Sequence, residues 1–124
     1  MLLVYDVSSR DNFLSMDRWF AEAETNAMPG VVTYLVGTKI DKVAGDEGRR
    51  AVTVEEGEKL AERHGCGFCE VSSKTRENVR KPFVEVVDRI VSHPTLLKEG
   101  VERGARVNLG QGGGEEGWGS SCAC

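Results

Sequence analysis

The sequence predicts an α/β protein in three layers, a parallel sheet of three strands flanked by three helices, followed by a flexible tail. Three observations lead there. Two short apolar runs, Met1 to Val7 and Val31 to Gly37, lack the alternation of a half-exposed strand, which is how strands covered on both faces read. Between and after them, apolar residues recur at three- and four-residue spacing, so strands alternate with helices. Beyond about Ser92 that periodicity stops.

The elements follow in order. Met1 to Val7 is the first strand. Ser8, with Asp11 three residues on, has the spacing of a capping box, and Phe13, Met16, Phe20 and Ala23 mark one face of a helix from about Arg10 to Asn26. Pro29-Gly30 punctuates the chain before the second strand, Val31 to Gly37. Lys42 to Arg50 is charged and Gly-bearing, a surface loop. Thr53 and Glu56 form a second capping box, opening a helix whose Leu60 and Ala61 face inward and which stops at His64-Gly65. Cys66 to Val71 is the third strand. From Asn78, the expected cap, Val79, Phe83, Val86, Val87, Ile90 and Val91 mark the apolar face of a last helix, with Pro82 tolerated in its first turn. Sequential strands joined by helices imply parallel pairing with right-handed crossovers, and residues 1–92 as the folded unit. Residues 93–124 lose apolar periodicity, and Asn108 to Ser121, dominated by Gly, Gln, Glu and Ser, has too little apolar surface to offset ordering entropy, so this part reads as a flexible tether.

Composition narrows the function. Sixteen Lys plus Arg against 20 Asp plus Glu give a net charge of −4, which argues against a nucleic-acid partner. The longest uninterrupted apolar stretch ends at Asp6, far short of the roughly 20 residues of a membrane span. No secretory signal is visible, so an intracellular, reducing setting is expected, and the four cysteines read as thiols or lipid acceptors rather than as a disulfide framework.

In an open parallel sheet, ligands bind outside the carboxyl ends of the strands. After the second strand comes Gly37-Thr38-Lys39-Ile40-Asp41, and after the third comes Val71-Ser72-Ser73-Lys74-Thr75. If the strands are neighbours, these loops sit side by side. An aspartate offers two acceptor oxygens to a ring with adjacent N–H and NH₂ donors, and a lysine stem can lie along a planar base while its ammonium stays wet. Guanine presents that donor pair; adenine does not.

At these residues the sequence resembles the Ras-like small GTPases, whose guanine-reading motif is Asn/Thr-Lys-x-Asp and whose second base loop is Ser-Ala-Lys. Leu3-Val4-Tyr5-Asp6-Val7, the helix bearing Phe13 and Trp19-Phe20, and the terminal Cys122-Ala123-Cys124 resemble the Rab branch. The resemblance runs through residues 1–92 and returns at the last three. It implies that Asp41 pairs with guanine N1–H and the exocyclic amine, that Lys39 stacks across the base, and that Ser73 offers its backbone N–H to O6. Ser72 would orient Asp41, and Lys74 would flank base and ribose. Thr38 stands where Rab proteins usually carry asparagine, and Ser73 where they carry alanine; the first departure bears on bracing of the loop.

The resemblance also shows what this chain lacks. There is no GxxxxGK[ST] phosphate loop, no switch threonine region and no Asp-x-x-Gly before the first strand, so no catalytic residue and no metal ligand is expected here. GTP or GDP is the implied ligand, with Mg²⁺ expected only in a complete protein. In the family's sheet the missing strands flank the one beginning at Met1, which would be left as an unpaired apolar edge. Met1 itself reads as an internal methionine taken as a start, and the chain as truncated.

Cys122 and Cys124 resemble the Rab double-geranylgeranylation signal. Two lipids make physical sense, because one gives marginal binding and the tail, with three Lys plus Arg against four Asp plus Glu, has no polybasic patch. The implied partners are prenylation escorts and GDP-dissociation-inhibitor proteins, and the implied location is the cytosolic face of an intracellular membrane. A rival of another class is a prenylated fragment acting as a non-enzymatic interaction module. Bland readings hold elsewhere. Cys66 and Cys69, three apart in a strand, point to opposite faces and cannot share a metal ion. His64 sits at a helix end, where a cation favours the dipole. Trp19 reads as helix packing, and Trp118 as an exposed aromatic in the tail. Asp46-Glu47 and Glu55-Glu56 read as surface and helix first turn.

Overall fold

The computed structural model describes residues 1–27, 30–45 and 47–93. Trp118, Cys122, Cys124 and the rest of the expected tail beyond His93 lie outside the described residues, as does Asp46. The order is β1 (Leu2–Asp6), α1 (Arg10–Leu14), α2 (Met16–Asn26), β2 (Tyr34–Thr38), α3 (Val54–Arg63), β3 (Gly67–Val71) and α4 (Lys81–Val91). The three strands form one parallel sheet in sequence order, β1-β2-β3.

Register sorts side chains onto two faces. Leu3, Leu35 and Phe68 align across the sheet and point into the larger core, where Tyr5, Val7, Phe20, Val52 and Leu60 are almost wholly buried beneath α1, α2 and α3. Each such side chain contributes about 1.5–3 kcal/mol by burial. Val36 and Cys69 align on the other face and join Tyr34 and Val71 under α4. The architecture is therefore the three-layer α/β arrangement that the sequence predicts, with β1 and β3 as its edges.

Several boundaries differ from expectation, each for a local reason. The first helix is two segments, because Ser15 turns its hydroxyl back to the Asp11 carbonyl (2.9 Å) and then serves as N-cap of α2. The cap of α1 is Ser9, which accepts from Asn12 N–H; Ser8 instead bonds Asp6. β2 starts at Tyr34 because its partner in the ladder starts at Leu2, and Val31 stays exposed. It runs on to Thr38, and β3 starts at Gly67. The charged loop contains a 3-10 turn, Glu47–Arg49. Gly67 lies against the Tyr34 ring, where a Cβ would come within 2.4 Å of the ring edge.

Thr53 caps α3 with a full reciprocal capping box to Glu56, and His64 with left-handed Gly65 ends it. His64 stacks on Phe20 at 3.8 Å and 2° and lies between Asp17 and Glu24, so it is a packed cap. Trp19 is half exposed, and Phe20 takes the buried position expected of both. Cys66 and Cys69 are free thiols that pack against opposite faces of the sheet.

α4 departs most from its expected packing. Asn78 is not the cap: it takes a left-handed φ of 55° and donates Nδ2 to the Glu70 carbonyl, and the helix begins at Lys81 with Pro82 in its first turn. Pro82 is buried and Val86 packs on the small core, whereas Phe83, Val84, Val87 and Val91 are all more than half exposed. Val4, on the same side of the edge strand, is exposed too, so β1 is not covered on both faces.

Candidate functional site

The carboxyl ends of the three strands carry the polar residues. Thr38 closes β2, and its hydroxyl donates to the Tyr5 carbonyl at 2.7 Å, bracing the end of β2 on β1. That is the bond through which this threonine supports the loop. Lys39 then adopts φ 67°, ψ 32°, a left-handed conformation that costs a lysine about 1–2 kcal/mol. The reversal throws Ile40–Lys42 into a 3-10 turn, closed by Lys42 N–H on the Lys39 carbonyl.

That turn presents Asp41 to β3. Ser72, the residue after β3, is wholly buried, and its hydroxyl donates to Asp41 Oδ1 at 2.5 Å. Ser72 Oγ in turn accepts from Thr75 N–H at 3.1 Å, and Ser72 N–H bonds the Glu77 carbonyl, which fixes the second loop against itself. A fully buried serine committed in both directions has one rotamer open to it. Asp41 Oδ2 has no hydrogen-bond partner among the described residues.

Thr38, Lys39, Asp41, Lys42, Ser73 and Lys74 line one open cavity of about 400 Å³. The two loops singled out from sequence thus meet, with Ser72 beneath them and Ser73 and Lys74 exposed on the far rim. Larger concavities exist, such as one of about 520 Å³ lined by Phe13, Leu60 and the charged residues Glu56, Lys59, Glu62 and Arg63.

Sequence reasoning missed Asp6. It is buried at the tip of β1, and its Oδ1 accepts from Ser8 N–H (2.9 Å) and Ser8 Oγ–H (2.6 Å). Its Oδ2 pairs with Lys39 Nζ at 2.7 Å and lies 3.6 Å from Lys42 Nζ. Burial alone would push this carboxyl up; the hydrogen bonds from Lys39 and Ser8 outweigh burial and hold it well below the usual carboxylate range. The same bond raises Lys39 above the ordinary lysine value. The available signal was a carboxylate ending an otherwise apolar run, at the strand end where ligands bind.

Among the described residues, no group of three His, Cys, Asp or Glu side chains is placed to hold a metal ion, and no helix is long and apolar enough to cross a membrane. The arrangement can do one thing well: present a carboxylate edge, a lysine stem and a backbone loop to a flat polar ring.

Residues 1–92 match the model of the Ras family, and the chain belongs to that family. The relatives it resembles include Rab proteins. It is 38% identical over 125 residues to the Ras-related protein Rab-18 of Lymnaea stagnalis, covering all of this chain and 57% of that protein. It is 36% identical to Rab-18 of Caenorhabditis elegans, covering all of this chain and 58% of the relative. With the Ras-related protein RABC1 of Arabidopsis thaliana it shares 39% identity over 86% of this chain and 49% of that protein. The chain spans about half the length of the curated relatives it matches.

Proposed function

We propose that residues 1–92 carry the guanine-recognising part of a Rab-type GTPase, a switch in membrane traffic that binds GTP and GDP. The observation that carries this reading is the Ser72–Asp41 hydrogen bond, which joins the two strand-end loops through Oδ1, with Asp41 among the residues that line the cavity. Asp41 would accept from guanine N1–H and the exocyclic amine, the Lys39 stem would lie across the ring, Ser73 N–H would meet O6, and Lys74 would flank the ribose. Adenine, with an unprotonated N1, offers Asp41 no such pair.

The phosphates and Mg²⁺ would be held by parts of the protein corresponding to the relatives' length that this chain does not span. Cys122 and Cys124 would carry lipids that hold the protein to the cytosolic face of an intracellular membrane. Prenylation escorts and GDP-dissociation-inhibitor proteins would be its carriers.

The test is amide NMR of the 124-residue chain titrated with guanosine and with adenosine. A base held by hydrogen bonds to a carboxylate plus one stacked face should gain about 4 kcal/mol, a Kd near 1 mM. Guanosine is expected to move Lys39, Asp41 and Ser73 resonances and adenosine to leave them in place. GDP should bind no more tightly than guanosine. In Asp41→Asn, an amide N–H faces the base edge, and preference should pass to xanthosine, which carries a carbonyl there. Equal responses to guanosine and adenosine would overturn the base-site reading, and micromolar GDP binding would overturn the assignment of the phosphates to parts outside this chain.

A further inference from the structure

We propose that Asp6 is a positioning residue of the base site: it holds the Lys39 ammonium at the tip of β1, so that the lysine stem stands as a fixed wall against which a planar base stacks. This rests on the guanine reading of the same cavity. Asp6 and Thr38 are register partners across β1 and β2, and Lys39 follows Thr38, so the 2.7 Å ion pair bridges neighbouring strand tips. The anchor cannot follow the lysine into water. Asp6 is only 8% exposed and is clamped by the Ser8 N–H and hydroxyl, while half of the Lys39 side chain stays exposed toward the cavity.

A carboxylate at this position needs a reason. Burying a charge is unfavourable unless it is paired, and the pairing of Asp6 goes largely to offsetting that burial rather than to adding net stability over an uncharged residue. Restricting the lysine is what the arrangement does accomplish. An untethered lysine samples many rotamers and must be ordered each time a base arrives, whereas a stem fixed at both ends is ordered beforehand. Ser8 is then the support of the support, which explains why it turns to Asp6 while Ser9 takes the helix cap.

The experiment uses the full 124-residue chain with Asp6→Asn, whose amide oxygen can still accept from Ser8. Two quantities are followed by NMR: the titration of the Lys39 side chain, and the affinities for guanosine and inosine. Lys39 should titrate at lower pH in the variant, and both nucleosides should weaken by a common factor of about two to five, the range of an exposed ion pair. Their ratio should not change, because stacking is indifferent to the base edge that Asp41 reads. In a Lys39→Gln background, Asp6→Asn should have no further effect on affinity. Unchanged guanosine affinity with a shifted Lys39 titration would overturn the positioning role and leave the guanine reading intact. A loss that persists in the Lys39→Gln background would likewise overturn it, marking Asp6 as a purely structural group. If the unaltered chain shows no preference for guanosine over adenosine, the base-site reading fails and takes this role with it. Should Asp6→Asn not fold, Ser8→Ala loosens the same carboxylate without changing charge and is read by the same outcomes.

Discussion

Ser72→Ala removes one oxygen from a fully buried position, and the consequences can be worked bond by bond. The hydroxyl donates to Asp41 Oδ1 at 2.5 Å and accepts from Thr75 N–H at 3.1 Å. A hydrogen bond to a charged group contributes about 1.5–3 kcal/mol and a neutral one about 0.5–1.5 kcal/mol. Asp41 is half-buried and Thr75 exposed, so water recovers part of each, and the lower ends apply. The expected loss is about 2 kcal/mol, which for a domain of this size lowers Tm by roughly 8–16 °C. Urea unfolding followed by far-UV circular dichroism measures it. A cycle with Asp41→Ala should show a coupling of about 1 kcal/mol, because the two side chains touch directly. The single variant should also weaken guanosine without altering the response to adenosine. A loss below about 0.5 kcal/mol, or an additive cycle, would refute the view that Ser72 holds Asp41 in place.

Three further outcomes are expected. In Gly57→Ala the new Cβ would lie 2.5 Å from the Phe68 ring and 2.7 Å from the Tyr5 hydroxyl, both inside the larger core. Overpacking of about 1–3 kcal/mol should exceed the gain in helix propensity of up to about 1 kcal/mol, so the urea midpoint should fall, and a rise would contradict the packing described. The Asp6 carboxyl is held below its unfolded range near 3.9, so its pairing stabilises the fold above that range, and this contribution is lost as pH falls below it. Acid unfolding should therefore be shallower in Asp6→Asn, and coincident acid profiles would tell against the ion pair. Replacing both Cys122 and Cys124 by Ser should move the protein of living cells from membranes to the soluble fraction, and retention on membranes would exclude those thiols as the anchor.

Much of this was readable in the residues, and the reasons are local. The Thr53 capping box, the left-handed stop at Gly65 and the two apolar strands depend on neighbours within a few positions, so their spacing alone specifies them. The pairing of the Thr38–Asp41 and Ser72–Lys74 loops was legible because parallel strands in sequence order place successive strand ends side by side. Ser8 and Ser9 could not be separated in that way. Both have capping chemistry, and the choice depends on Asp6, whose side chain draws Ser8 away only once β1 has formed. The exposure of Phe83, Val87 and Val91 was hidden for a related reason: helical periodicity reports an apolar face, while α4 packs on β2 and β3 and leaves that flank beyond the covered strands. Asp6 was overlooked because a single carboxylate after an apolar run has no periodicity to announce it.

Strand order that follows chain order has a consequence for how the site comes into being. Each pairing, β1 with β2 and β2 with β3, closes a loop of about thirty residues, so both steps meet nearly the same loss of chain entropy. Asp41 and Ser72 are 31 residues apart, the same separation within the same loop. Once β3 has docked on β2, the contact between them requires no further closure, and the two strand-end loops assemble as a by-product of the last strand's arrival. Protection of the Thr75 amide from hydrogen exchange would then report the docking of β3 itself, which makes one amide at the rim of the cavity a clock for completion of the sheet.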